Sequence, residues 1–196
     1  QGVLKFGEFT LNSGRVSPYF FNLGAVSDGS GFAELGRAYA DAILAAEIEF
    51  DVLFGPAYKG IPIAVATATA LAEQGVHVGV AYNRKEAKDH GEGGQLVGAD
   101  VAGRVLLVDD VLTSGKAIRQ SVDLIVQTQA RIVGAVIALD RAELFDGGVT
   151  AVEALAGDLG VPILSIASVT DIIRHVADAT LRQRMVEYQQ KYCRVS

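Results

Sequence analysis

A chain of 196 residues with half of its side chains hydrophobic is long enough to bury a full core and is read as one domain. A formal charge of -6 and an isoelectric point near 5.0 argue against nucleic acid as the main partner, because binding a phosphate backbone wants a basic face. No apolar run approaches a bilayer span, no signal peptide is visible, and the single Cys193 cannot form an intrachain disulfide, so no membrane partner is expected and a reducing cytoplasm is the expected location.

In chain order, residues 3–22 do not share the pattern of the rest and read as a small hairpin lobe, a hood over the strand ends to which 1–30 contribute. Helical patterns follow at 32–46, 62–74, 116–128, 149–159 and 171–190, the last broken near Asp178. They alternate with strand patterns at 52–54, 77–82, 105–108, 132–139 and 163–166. Such alternation predicts an α/β fold with a central parallel sheet flanked by helices on both faces.

Three segments between these elements carry chemistry. The first, Phe54-Gly55-Pro56-Ala57-Tyr58-Lys59-Gly60, lies where a strand gives way to a helix with Pro62 in its first turn. Its glycines permit unusual backbone angles that let amides approach an anion, and Lys59 adds a point charge, so a pyrophosphate could rest there. A plain glycine-bracketed turn explains the same residues equally well, unless its strand neighbours the one that carries Asp109.

The second, residues 83–95, is charged and nearly neutral overall, with Arg84, Lys85 and Lys88 set against Glu86, Asp89 and Glu92. Composition alone favours a solvated loop. The glycines Gly91, Gly93 and Gly94 would equally suit a mobile catalytic loop that excludes water from a reactive intermediate.

The third is the most specific. Val105 to Val108 read as a buried parallel strand, Asp109 and Asp110 stand at its end, and Val111-Leu112-Thr113-Ser114-Gly115 leads into a helix from Lys116. A helix N-terminus beyond the carboxyl end of a parallel strand offers N–H donors and a favourable dipole to a phosphate. Paired carboxylates just before it would repel that phosphate. They can accept hydrogen bonds from the vicinal hydroxyls of a ribose, or hold a divalent cation directly or through water. A Walker A loop would need Gly where Asp110 stands and Ser or Thr where Ala117 stands. A phosphatase-like nucleophile would want its aspartates one residue apart. A strand with a solvated acidic end explains less, since strand, acids and cradle agree at consecutive positions.

Every position of 105–117 fits the phosphoribosyl pyrophosphate (PRPP) signature, and the chain resembles the type I phosphoribosyltransferases. The segments 3–15, Ser17-Pro18-Tyr19-Phe20-Phe21-Asn22, 54–62, 83–94 and Asp140-Arg141 narrow the resemblance to the orotate phosphoribosyltransferase family. It implies the type I fold with a hood, Mg2+ as cofactor, and orotate and PRPP as substrates. It also implies a homodimer in which the charged loop of one subunit completes the site of the other. By the same resemblance Asp109 and Asp110 bind the ribose hydroxyls, and Val111, Leu112, Thr113, Ser114, Gly115, Lys116 and Ala117 cradle the 5'-phosphate. Tyr58 and Lys59 touch the pyrophosphate, over which Arg84, Lys85, Lys88 and His90 close from the partner. Lys88 and His90 are the expected catalytic donors. Mg2+ is expected to be held mainly by PRPP.

Orotate would sit between Phe20, Phe21 and Thr113, with its carboxylate met by Arg141, whose planar fork suits a carboxylate as a lysine does not. Taken alone, Arg141 would read as a surface ion pair with Asp140 or Glu143, and the two phenylalanines as packing. Asn12 and Val16 stand where the family pattern has lysines. Asn12 is carried over as a PRPP contact in which a cation is lost or supplied elsewhere. Lys116 stands where a small hydroxyl residue is common in the phosphate cradle. Two other readings stay open: a purine or uracil phosphoribosyltransferase, which would not need Arg141, and a non-catalytic PRPP sensor, for which the charged loop would be superfluous.

Overall fold

The computed structural model describes residues 1–11, 13–88, 94–112, 115–145 and 147–194, with the backbone alone at Ala87 and Lys88. Two antiparallel strands, β1 (Leu4–Thr10) and β2 (Val16–Phe21), form the expected hairpin lobe. A helix and a strand follow, α1 (Gly29–Ala45) and β3 (Val52–Gly55), and then α2 (Gly60–Glu73), β4 (Gly79–Lys88) and β5 (Gly94–Gly98). The rest runs β6 (Arg104–Val111), α3 (Lys116–Ile125), β7 (Arg131–Asp140), α4 (Ala151–Leu159), β8 (Ile163–Ser168), α5 (Val169–His175) and α6 (Ala179–Tyr192). The strand order is β5-β4-β3-β6-β7-β8, parallel from β4 to β8.

The expected central parallel sheet is present, with one antiparallel strand added where β5 pairs with β4 at its edge. One expectation is corrected: 83–95 is not a loop throughout. Asn83 pairs with Leu96 and Lys88 with Gly94, so its first and last parts are arms of a hairpin. The pairing of β4 with β3 ends at Tyr82, so these arms run past the neighbouring strand, where charged side chains meet water and carry little desolvation cost. The mobile-loop expectation otherwise falls on residues 89–93, outside those described.

Burial on both faces explains the apolar central strands. Along β6, Leu106 and Val108 face Tyr39, Ile43, Ile63 and Leu71 of α1 and α2, while Val105 and Leu107 face Ile118, Ile125 and Leu155 of α3 and α4. A third cluster ties the hood to α5 and α6 through Tyr19, Val169, Ile173, Met185 and Tyr188. Side-chain caps set the helix starts. Asp28 accepts the Gly31 N–H at 2.8 Å, and capping boxes open α4 (Thr150 with Glu153) and α5 (Ser168 with Asp171). The expected break near Asp178 is the cap of α6, where Asp178 accepts the Leu181 N–H at 2.7 Å.

The close pairing of α1 with α2 depends on Gly36, where a Cβ would overlap the Ala66 carbonyl. Gly36→Ala gains about 1 kcal/mol of helix propensity but forces two packed helices apart, and overpacking of that kind costs roughly 1–3 kcal/mol or more. We expect a net loss near 2 kcal/mol, read as a Tm lower by roughly 4–8 °C in thermal unfolding.

Candidate active site

β3 leads through α2 to β4 on one side, and β6 leads through α3 to β7 on the other, so the chain diverges between β3 and β6. Ligands of open α/β sheets bind in the crevice that such divergence opens at the carboxyl ends of the strands. Phe54 of β3 pairs with Leu107 of β6, which sets the 54–60 turn beside the acidic pair, the arrangement that favours the pyrophosphate reading of that turn.

A cleft of about 790 Å³ opens there, lined by Tyr58, Lys59, Arg84, Lys85, Asp109, Asp110, Val111, Leu112, Gly115, Lys116 and Ala117, together with Asn83. Four of its lining residues are cations, Lys59, Arg84, Lys85 and Lys116, against the three carboxylates Asp109, Asp110 and Asp123. The acidic chain thus gathers positive charge where an anionic substrate would lie.

Asp110 binds Lys59 through Oδ2 at 2.6 Å and accepts the Val111 N–H on Oδ1 at 2.7 Å. Asp109 accepts the Asp110 N–H at 2.9 Å, and its own carbonyl accepts the Tyr39 hydroxyl at 2.6 Å. Burial, and then the charge of Asp110, push the Asp109 carboxyl up to about 7 against the opposing pull of the Asp110 N–H and Lys59. Lys85 lies 4.5 Å from the centre of the Tyr58 ring, a cation–π contact that joins the β4 arm to the 54–60 turn.

Gly115, at φ 66°, caps α3 in the left-handed region that glycine adopts without strain. Among the described residues no side chain caps α3, and its first turn lines the cleft through Gly115, Lys116 and Ala117, where a helix N-terminus suits an anion. Gly55 and Gly60 have a different use from the one expected. Neither has a positive φ; a Cβ on Gly55 would collide with the Gly60 carbonyl, and one on Gly60 would lie 2.9 Å from the Val108 carbonyl. What the turn requires is the missing Cβ, which lets it fold against β6.

Phe20, Phe21 and Arg141 do not line this cleft. Phe20 is partly exposed and stacks on Phe9 at 5.5 Å, and Phe21 packs into the core. Arg141 is largely buried, its Nε and Nη2 donating to Glu143 at 2.9 and 2.6 Å and Nη2 also to the Ser17 hydroxyl at 3.3 Å. Its guanidinium lies 4.5 Å over the Tyr19 ring. The ion pair with Glu143 that the residues alone suggested is therefore present, inside the protein and not at its surface. Asn12, Thr113, Ser114, His90 and the Lys88 side chain lie outside the described residues. Two contributors escaped the sequence, Tyr39 and Asn83, since a tyrosine within a helix reads as core and an asparagine within a charged run as solvated.

A model of the phosphoribosyl transferase domain matches residues 24–145. An orotate phosphoribosyltransferase of Pseudomonas putida (strain W619) is 56% identical over 179 residues, which cover 91% of this chain and 84% of the relative. The chain belongs to the orotate phosphoribosyltransferase family. A relative of the same name in Pseudomonas aeruginosa (strain PAO1) is 52% identical over 94% of this chain and 88% of its own. The crystal structure of the Francisella tularensis orotate phosphoribosyltransferase superposes with a TM-score of 0.88 at 39% identity, covering 98% of this chain and 95% of that one. The Mycobacterium tuberculosis family member in complex with PRPP matches at a TM-score of 0.64 and 26% identity, covering 84% of this chain and 88% of that one.

Proposed function

We propose that the chain transfers the phosphoribosyl group of PRPP to orotate, giving orotidine 5'-monophosphate and pyrophosphate on the route to UMP. The observation that supports this reading is the Lys59–Asp110 contact, which joins the acid proposed for the ribose to the turn proposed for the pyrophosphate across the β3–β6 divergence. Membership of the family supports the choice of orotate.

In this reading Asp109 and Asp110 accept the ribose hydroxyls, and the N-terminus of α3 holds the 5'-phosphate. The orotate ring nitrogen gives up its proton, to water or to the pyrophosphate, and bonds to the anomeric carbon as the carbon–oxygen bond to pyrophosphate breaks, with the ribose carrying cationic character between. Catalysis then consists in neutralising the leaving group. Tyr58 and Lys59 contact it, while Arg84, Lys85, Lys88 and His90 of a partner subunit close over it, Lys88 or His90 supplying a proton or hydrogen bond to the departing oxygen. The family resemblance puts orotate at Arg141 with Phe20, Phe21 and Thr113 about the ring; in this chain Glu143 and Ser17 hold the Nε and Nη2 atoms of Arg141, so the carboxylate would be met from the Nη1 side and the base would lie beside the cleft, not within it.

The residues present fit Mg2+ delivered with the substrate. Among the described residues no three His, Cys, Asp or Glu side chains gather into a metal site, whereas Asp109 and Asp110 offer the one or two carboxylates that a hydrated, phosphate-bound Mg2+ uses. When bound, it would supply charge to the leaving pyrophosphate. Among the described residues no helix is long and apolar enough to cross a membrane; we assign the protein to the cytoplasm on the single Cys193, which forms no intrachain disulfide and suits a reducing compartment.

The test follows orotate absorbance with PRPP and Mg2+. Rapid loss that stops with chelator and falls about 10²–10³-fold in Lys88→Ala is expected, the size typical of a positioned proton donor. Wild-type protein that binds PRPP yet leaves orotate unchanged overturns the reading. Shared sites are tested by mixing inactive Asp110→Asn and Lys88→Ala dimers. After subunit exchange half of the dimers are mixed and each holds one intact site, so about a quarter of wild-type activity should return. No recovery after proven exchange would place both residues in one subunit's site.

A further inference from the structure

We infer that Asn83 is a positioning residue that locks three phosphate-binding segments into one unit, through Ala57 in the 54–60 turn and Ser121 in α3. This rests on the PRPP reading of the cleft. Asn83 is 9% exposed and follows Tyr82, the last residue of β4 paired with β3. Its side chain reaches two other elements. Oδ1 lies 3.1 Å from the Ala57 nitrogen and 3.2 Å from the Ser121 hydroxyl, and Nδ2 lies 3.4 Å from the Arg84 carbonyl.

The chemistry fixes the orientation. A backbone N–H can only donate, so the atom facing Ala57 is the oxygen, and Ser121 must then donate to that oxygen as well. The Ser121 hydroxyl also lies 3.1 Å from the Ala117 carbonyl in its own helix, so one proton is shared between two acceptors. Ser121 is fully buried and does not line the cleft, which removes contact with a ligand as its role.

Each anchored residue stands next to a group assigned to PRPP. Ala57 precedes Tyr58 and Lys59, Asn83 precedes Arg84 and Lys85, and Ser121 lies one turn after Ala117 in α3. Pyrophosphate and 5'-phosphate are fixed distances apart in one substrate, so segments that drift separately cannot grip both ends together, and misplacements near 1 Å are costly. One buried amide oxygen holds them in register. A solvated asparagine in a charged run would have no reason to be buried with donors from two other elements.

The experiment measures KM, kcat, calorimetric PRPP affinity and Tm for Asn83→Ala, Ser121→Ala and the double variant. Asn83→Ala should raise the PRPP KM about 10–30-fold with the orotate KM changed less than about twofold. Ser121→Ala should raise the PRPP KM about threefold, and the double variant should be no worse than Asn83→Ala, because both act through one oxygen. Three results overturn the inference: unchanged PRPP affinity in the variants, no effect of Ser121→Ala, or a uniform loss in all parameters that follows Tm. Wild-type protein with an intact Tm that fails to bind PRPP overturns the PRPP reading instead.

Discussion

Asp110→Asn should lower kcat/KM for PRPP by about 10²–10³-fold while leaving Tm nearly unchanged. The change keeps Oδ1, so the Val111 N–H retains its acceptor, and it replaces the oxygen that binds Lys59 with an amide donor. Hydrogen bonds to a charged acceptor are worth roughly 1.5–3 kcal/mol each, so two from the ribose hydroxyls would come to roughly 3–6 kcal/mol, or about two to four and a half decades in rate, and because Asp109 shares them and Oδ1 is kept, a loss at the lower end is expected. Stability behaves differently because the Lys59 side chain is 53% exposed, so its ammonium is rehydrated once the pair is broken. Steady-state kinetics beside thermal unfolding decides the matter. A loss under fivefold would mean that the ribose does not lean on this carboxylate, and a fall in Tm matching the fall in activity would make Asp110 a structural acid.

The same pair shows how far the sequence reaches. The apolar run before Asp109, the adjacent acids and the small residues after them are local, and each constrains the backbone where it stands, so strand, acidic end and cradle are read directly. The hood is legible because residues 3–22 depart from the helix–strand pattern of the rest, and the break near Asp178 because the last helical pattern is interrupted there, both local signals. Contacts between distant segments have no such signal. The Tyr39 hydroxyl supports the Asp109 carbonyl from 70 residues away, and nothing in the tyrosine's own helix announces it.

The edge of the sheet was hidden for a related reason. Gly94–Gly98 carries two glycines and Gln95, poor strand formers on their own, and becomes a strand because β4 offers it a ladder. Gly55 and Gly60 could be singled out in the sequence but not explained by it. A glycine needed for backbone angle and one needed for a missing Cβ look alike until the neighbouring carbonyl is placed. On the base side the residues alone favoured an ion pair for Arg141, and the pair with Glu143 is there; its depth depends on the hood closing over it through Tyr19 and Ser17.

Asp109→Asn should abolish transfer and yet make the protein more stable at pH 8. Asp109 is 8% exposed, and burial beside a second carboxylate raises its proton affinity to about 7 from the ordinary value of 3.8. A raised carboxyl favours the folded state most where it is protonated in both states, below about pH 4, and that advantage is lost as pH rises to about 7. Above that, folding must bury a charge, and the neutral amide removes the cost while its oxygen can still accept the Asp110 N–H. A shift of this size corresponds to at most about 4 kcal/mol, and with relaxation around Lys59 a gain near 2 kcal/mol is expected, a rise of roughly 4–8 °C in Tm at pH 8 that vanishes by pH 4. Activity moves the opposite way, because a ribose hydroxyl needs the ionised acceptor: kcat/KM for PRPP in the wild type should fall about tenfold per unit below pH 7. Melting curves at pH 4 and 8 for both proteins, with the wild-type pH–rate profile, test the two halves separately. A variant that is less stable at pH 8 would show that Asp109 is held by attraction, with Lys59 outweighing burial, and would remove the physical basis for the predicted pH dependence.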